Sequence, residues 1–222
     1  SFLIGLLIPL ALIYLRLIFN NKINSKQDIL DATELSFMGE IVKSETPLIG
    51  FNDRSSTAES FRIVRANIDF VLQTKSRMQT DVAKGKKIFI TSSIPKEGKT
   101  FIAVNLALSF VQTGKKVLLI GLDIRNPKIS SYLELNNSNF GLTNYLVSED
   151  KEQDIHNYIQ NIADNLFVPP SGIIPPNPSE LLITDKIGAL FNYLETQFDY
   201  IIVDTAPVTL VSDTFLISKY SD

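Results

Sequence analysis

KKIFITSSIPKEGKT, residues 86–100, decides the fold. Residues 86–91 read as a short apolar strand, 92–98 as a turn rich in Ser, Pro and Gly, and 99–112 as a helix of Ala, Leu and Val closed by Gly114. Within the turn, Ser93-Ile94-Pro95-Lys96-Glu97-Gly98-Lys99-Thr100 matches the phosphate-loop pattern GxxxxGK followed by Ser or Thr, except that Ser stands for the first Gly. A strand ends just before the turn and a helix starts at it, so backbone N–H groups and the positive end of the helix dipole converge on one anion site. In that geometry Lys99 reaches the β- and γ-phosphates of a nucleotide, and the Thr100 hydroxyl is placed to ligate Mg2+. A glycine turn with an N-capping Thr is the plain alternative, and the flanking strand and helix argue against it.

Outward from this unit the chain alternates strand and helix. Residues 116–123 (KVLLIGLD) and 200–204 (YIIVD) are continuous apolar runs, 166–168 a shorter one, and 179–196 read as a helix. Such runs, separated by helices, predict a mostly parallel, doubly wound α/β sheet covered on both faces. Asp123 and Asp204 each end a predicted strand, which puts both carboxylates at the carboxyl edge of the sheet, where such folds bind ligands. Upstream, Phe61, Val64, Ile68 and Val71 mark one face of a helix that should fade before Gly85.

The first 19 residues are apolar apart from Ser1 and Arg16 and read as a membrane span, followed by a polar juxtamembrane connector (20–57) with a strand-like run at 37–42. Arg16 near the end of the span and Lys22 and Lys26 after it are basic while nothing basic precedes it, so the positive-inside rule predicts that residues 58–222 face the cytoplasm at the inner membrane. The absence of Cys excludes disulfides, thiolate metal sites and cysteine nucleophiles, and fits a reducing compartment. A net charge of -3 argues against a basic face for nucleic acid, and a single His leaves no His pair for a metal. The chemistry falls to Lys, Asp, Glu and hydroxyls.

TSSIPKEGKT, KVLLIGLDIRNPK and FDYIIVDTAPV resemble the Walker A, A′ and B motifs of the bacterial tyrosine kinases of capsule and exopolysaccharide assembly. ESFRIVR (59–65) is similar to that family's ExxRxxR oligomerisation motif and IPPNPSELL (174–182) to another family segment; the likeness covers residues 59–222. The resemblance implies a P-loop fold and an ATP- and Mg2+-dependent protein-tyrosine kinase that phosphorylates a neighbouring copy of itself. It implies a nucleotide contact set of Ser93, Pro95, Lys96, Glu97, Gly98, Lys99, Thr100 and Phe101, catalytic roles for Lys99, Asp123 and Asp204, and metal binding by Thr100, Asp123 and Asp204. It further implies a homo-oligomeric ring built on Glu59, Arg62 and Arg65, a role in polysaccharide polymerisation and export, a cognate tyrosine phosphatase, and Arg125 as an interface or phosphate contact. Two departures stand out: Gly121 replaces the first Asp of the family's DxD, and Lys96 stands where Gly is frequent.

By their residues alone, ExxRxxR reads as a solvated helix face, the Pro-rich 169–178 stretch as a rigid loop into a helix with Asn177 as N-cap and Pro178 at N1, and His156 as a surface residue. Residues 212–222 read as a helix leading toward a further strand, so an open sheet edge is expected and the family's acceptor tyrosines are expected beyond residue 222. The alternative function is a membrane-anchored ParA/MinD-like ATPase, a nucleotide-dependent assembly switch without tyrosine transfer.

Overall fold

The computed structural model describes residues 2–19, 23, 25–44, 46–50, 53–78, 84–135, 139–209 and 213–222, in two compact units, Ser1–Met38 and Gly39–Asp222. The first unit holds helix α1 (Phe2–Ile18) and helix α2 (Lys26–Ala32). A reciprocal cap starts α2: Ser25 Oγ accepts from Asp28 N at 3.3 Å and Asp28 Oδ2 accepts from Ser25 N at 2.9 Å. With 17 residues, α1 is about 25 Å long against a hydrocarbon core of about 30 Å. Among the described residues no helix is long and apolar enough to cross a membrane. The strand-like run at 37–42 pairs with none of the strands, and without a ladder it stays irregular.

The second unit runs α3 (Ser56–Met78), β1 (Lys86–Ile90), α4 (Lys99–Val111), β2 (Val117–Gly121), α5 (Ile129–Tyr132), α6 (Leu142–Val147), a 3-10 turn (Glu152–Tyr158), β3 (Gln160–Ala163), β4 (Leu166–Val168), α7 (Pro178–Leu182), α8 (Asp185–Leu194), β5 (Tyr200–Asp204) and α9 (Asp213–Ser218). The strand order is β1-β5-β2-β4-β3. The first four are parallel and β3 is antiparallel to β4. Sequence reading missed β3, a four-residue strand; its signal is the tight Asp164-Asn165 turn, where Asn165 takes φ 64°, a left-handed conformation that Asn tolerates.

The sheet is covered on both faces, as its apolar strands require. Side chains alternate along a strand, so Leu118, Ile120, Ile201 and Val203 join Leu142, Tyr145, Leu190, Phe191 and Leu194 of α6 and α8 in one buried cluster. The opposite face packs on α4, and α3 packs on α4 in turn. Phe61, Val64 and Leu72 form the buried stripe of α3, while Phe110 of α4 stacks on Tyr200 at 4.0 Å. Part of the predicted connector belongs to this packing. The buried Asn105 side chain of α4 accepts from Ile49 N (2.8 Å) and donates to the carbonyls of Pro47 (3.0 Å) and Phe101 (2.9 Å), so residues 47–49 are held on the helix.

The helix expected over 179–196 is two. Thr184 is extended (ψ 151°) and its hydroxyl donates to Leu181 O at 2.9 Å, which separates α7 from α8. Asn177 does precede α7, with Pro178 at its start, yet its side chain makes no cap and donates instead to Glu180 Oε2 at 3.1 Å. β1 lies at an edge of the described sheet, and Asp222 N donates to Lys87 O (3.1 Å) on its outer side.

Candidate active site

The register aligns the carboxyl ends of three neighbouring strands: Ile90 pairs with Asp204, and Gly121 pairs with Asp204 on the other side. Their loops therefore leave the sheet together. Thr205 donates from both its backbone N and its hydroxyl to Ile90 O at 3.0 Å, and Thr91 Oγ1 donates to Ala206 O at 3.0 Å. Val208 N donates to Ser92 O (3.0 Å) and Thr209 Oγ1 to Ser93 O (2.5 Å), so the segment after β5 braces the start of the phosphate loop. Within the loop Glu97 Oε2 accepts from Ile94 N at 3.0 Å. Two residues need left-handed backbone, Lys96 at φ 69° and Gly98 at φ 91°, which explains why Gly suits both positions and marks Lys96 as a strained choice.

Gly98 is the N-cap of α4, whose first-turn N–H groups point into the loop without intrahelical partners. Lys99 and Thr100 follow, and the structure brings both predicted carboxylates to them. Lys99 Nζ lies 3.3 Å from Asp123 Oδ2 and 3.9 Å from Asp204 Oδ1, and Thr100 Oγ1 donates to Asp204 Oδ2 at 2.7 Å. Asp123 is held by Asn126 N, which donates to its Oδ1 at 3.2 Å. The cleft above is about 90 Å3 and is lined by Pro95, Lys96, Lys99, Asp123, Arg125, Asn126 and Lys128 with Ala206 and Pro207. Four cations around one exposed-side carboxylate give it the field of a polyanion site.

Burial pushes the Asp204 carboxyl up to about 6, opposed by the Thr100 hydrogen bond and the Lys99 ammonium. Its Oδ1 is buried and has no hydrogen-bond partner among the described residues. Such an orphaned oxygen, beside a hydroxyl with free lone pairs and a second carboxylate, is a set of hard oxygen donors of the kind Mg2+ takes through one or two carboxylates, with phosphate and water completing its shell. The residues fit that ion: Thr100, Asp204 and Asp123 would hold it. No cluster of three or more His, Cys, Asp or Glu suited to a metal occurs among the described residues, so a closed protein cage is not on offer.

Other predicted residues fall elsewhere. Phe101 does not line the cleft; its ring packs edge-to-face on Phe61 at 5.6 Å, tying α4 to α3. Gly121 faces Ile129: a Cβ there would lie 3.2 Å from Ile129 Cδ1, so any side chain at this position presses on that methyl. Glu59 and Arg62 form an exposed pair at 3.0 Å, with Arg62 also donating to Asp53 O at 2.6 Å. Arg65 turns inward and donates to Ser109 O at 2.5 Å, and burial lowers its pKa. His156 is exposed, 3.0 Å from the Tyr193 hydroxyl. Sequence reading missed Lys128 and Asp213 near the site. Lys128 stands five residues after Asp123 on the same loop, a position the motif could have flagged, whereas nothing in the sequence points to Asp213.

The AAA domain family matches residues 85–219. The tyrosine-protein kinase YwqD of Bacillus subtilis is 35% identical over 170 residues, covering 76% of this chain and 67% of the relative. The tyrosine-protein kinase CpsD of Streptococcus pneumoniae is 38% identical over 147 residues, covering 66% and 64%. The solved structure of the kinase domain of the Escherichia coli tyrosine kinase Etk superposes with a TM-score of 0.76 at 27% identity, covering 89% of this chain and 78% of that chain. The chain spans about two thirds of the length of the curated relatives it matches. With the phosphate loop, Asp123 and Asp204 all inside the matched region, the chain belongs to the bacterial tyrosine-kinase family of P-loop AAA domains.

Proposed function

We propose that this chain is the nucleotide-binding part of an ATP-dependent protein-tyrosine kinase that phosphorylates a neighbouring copy of itself. The observation that carries the reading is the Lys99–Asp123–Thr100–Asp204 constellation beneath the phosphate loop. Lys99 and the first-turn N–H groups of α4 receive the β- and γ-phosphates and neutralise the charge that grows between them. Mg2+, which Thr100, Asp204 and Asp123 would hold, would supply further charge neutralisation at the phosphates. Asp204, buried and bonded to Thr100, is the metal-side carboxylate. Asp123, nearer the mouth, accepts the proton of the incoming tyrosine hydroxyl as its oxygen bonds the γ-phosphorus and the bond to the β-phosphate oxygen breaks, releasing ADP.

The family supports the wider setting: a role in capsule or exopolysaccharide polymerisation and export, contact with that machinery, reversal by a tyrosine phosphatase, and a homo-oligomeric ring. The exposure of Glu59 on α3, beside the half-buried Arg62, supports an interface on that helix face. An anchor in the inner membrane, with the kinase unit in the cytoplasm, is supported by the apolar α1 and by Arg16 in its last turn.

The test is to incubate the protein, and its Lys99→Met variant, with ATP, Mg2+ and a tyrosine-containing acceptor and to measure phosphotyrosine and ADP by mass spectrometry. The reading expects phosphotyrosine from the parent and at least about a hundredfold less from the variant. ADP release without phosphotyrosine would move the assignment to a nucleotide-driven assembly switch.

A further inference from the structure

Arg125 sits on the wall of the nucleotide cleft, and its guanidinium is gripped from behind. Its Nε donates to Asp213 Oδ2 at 2.9 Å, one terminal nitrogen donates to Ser179 Oγ, and that hydroxyl donates to Asp213 Oδ1 at 2.7 Å. The three groups close a ring. They come from three separate segments: the loop after β2, the first turn of α7 and the start of α9. The Asp213 side chain is 4% exposed whereas that of Arg125 is 40% exposed, so the carboxylate is buried and the guanidinium faces solvent. Both oxygens of Asp213 and the back edge of the fork are thereby used. The other terminal nitrogen of Arg125 has no partner among the described residues. A planar fork held at its back edge presents its remaining N–H donors in one fixed direction, which is the arrangement that suits a phosphate oxygen.

We propose that Ser179 and Asp213 are positioning residues that hold Arg125 for the terminal phosphate of the bound nucleoside triphosphate. This rests on the nucleotide-site reading above and assigns a task to PPNPSELL (175–182), a segment far from the phosphate loop in sequence. Ser179 is the member of that segment that reaches the site, and it acts through Arg125.

The terminal phosphate is what distinguishes ATP from ADP, so the readout is the ratio of affinities for a non-hydrolysable ATP analogue and for ADP, measured by calorimetric titration with Mg2+ present. Arg125→Ala should lower analogue affinity roughly tenfold and ADP affinity by no more than about twofold, since the charge-assisted hydrogen bond it removes goes to the terminal phosphate and ADP loses only its share of the cleft's positive field. Ser179→Ala and Asp213→Asn should each lower it about threefold, with no further loss when Ser179→Ala is added to Arg125→Ala, because both act through the one guanidinium. Ser179→Thr, which keeps the hydroxyl, should restore the ratio. If Asp213→Asn does not fold, the Ser179 variants decide. An unchanged ratio in Ser179→Ala, an equal loss for ADP, or additivity with Arg125→Ala would overturn the proposal while leaving the nucleotide site intact. Failure of the parent to bind either nucleotide would overturn both readings together.

Discussion

Replacing Asp204 with Asn isolates the electrostatics at the base of the site while keeping its shape. Burial raises this carboxyl from its ordinary 3.8 to about 6, so the folded chain holds a proton that the unfolded chain releases across the interval between those values. With the folded pKa the higher one, the associated stability is fully present below about 3.8, falls as pH rises through about 6, and is gone above it. Two units at 1.36 kcal/mol each make the cost of ionising Asp204 in the folded state about 3 kcal/mol above neutral pH. Asn keeps an oxygen for the Thr100 hydroxyl but places a donor near Lys99, a penalty of about 1–2 kcal/mol that does not depend on pH. The stability difference between variant and parent should therefore shift in favour of the variant by about 2 kcal/mol between pH 4.5 and pH 8, equivalent to about 4–8 °C in melting temperature. Denaturant unfolding at both pH values, without nucleotide or metal, measures it. Adding Mg2+ and ADP at pH 8 should stabilise the parent more than the variant, because a cation beside Asp204 favours the ionised form. A difference independent of pH would refute the claim that Asp204 is held in a desolvated, under-satisfied state.

Three further outcomes follow from the same geometry. Asp123→Asn should lower the rate of phosphotyrosine formation by about a hundredfold in a steady-state assay, since Gly121 offers no second carboxylate to take the proton. Gly121→Asp should destabilise the fold by about 1–3 kcal/mol in urea unfolding, because its Cβ meets Ile129 Cδ1 at 3.2 Å, and Ile129→Ala should relieve part of that loss. Glu59→Ala should change unfolding free energy by less than about 0.5 kcal/mol while weakening self-association in sedimentation, whereas Arg65→Ala should cost about 1–3 kcal/mol because it removes the donor to Ser109 O.

The parts legible in the sequence are those where one local pattern suffices. β1, β2, β4 and β5 are continuous apolar runs, and their ends fix where Asp123 and Asp204 emerge; the register then brings Asp204 between Ile90 and Gly121 without any residue having to signal it. What escaped was set by partners distant in the chain. The ExxRxxR spacing says that Glu59, Arg62 and Arg65 lie along one helix, yet whether a guanidinium meets solvent or α4 depends on where α3 docks, and that is decided by Phe61 against Phe101 and by Tyr200, whose hydroxyl donates to Asp69. The break at Thr184 depends on one hydroxyl choosing a carbonyl three residues back over the helical ladder, a contest between nearly equal local energies. The Arg125 ring is the extreme case: three polar side chains from three segments, each ordinary in its own surroundings, become a unit because α7 and α9 pack side by side at the mouth of the sheet. Phosphate-loop chemistry is written in a stretch of eight residues, while the orientation of the groups around it is written in the tertiary packing, which explains why the motif could be read and its supports could not.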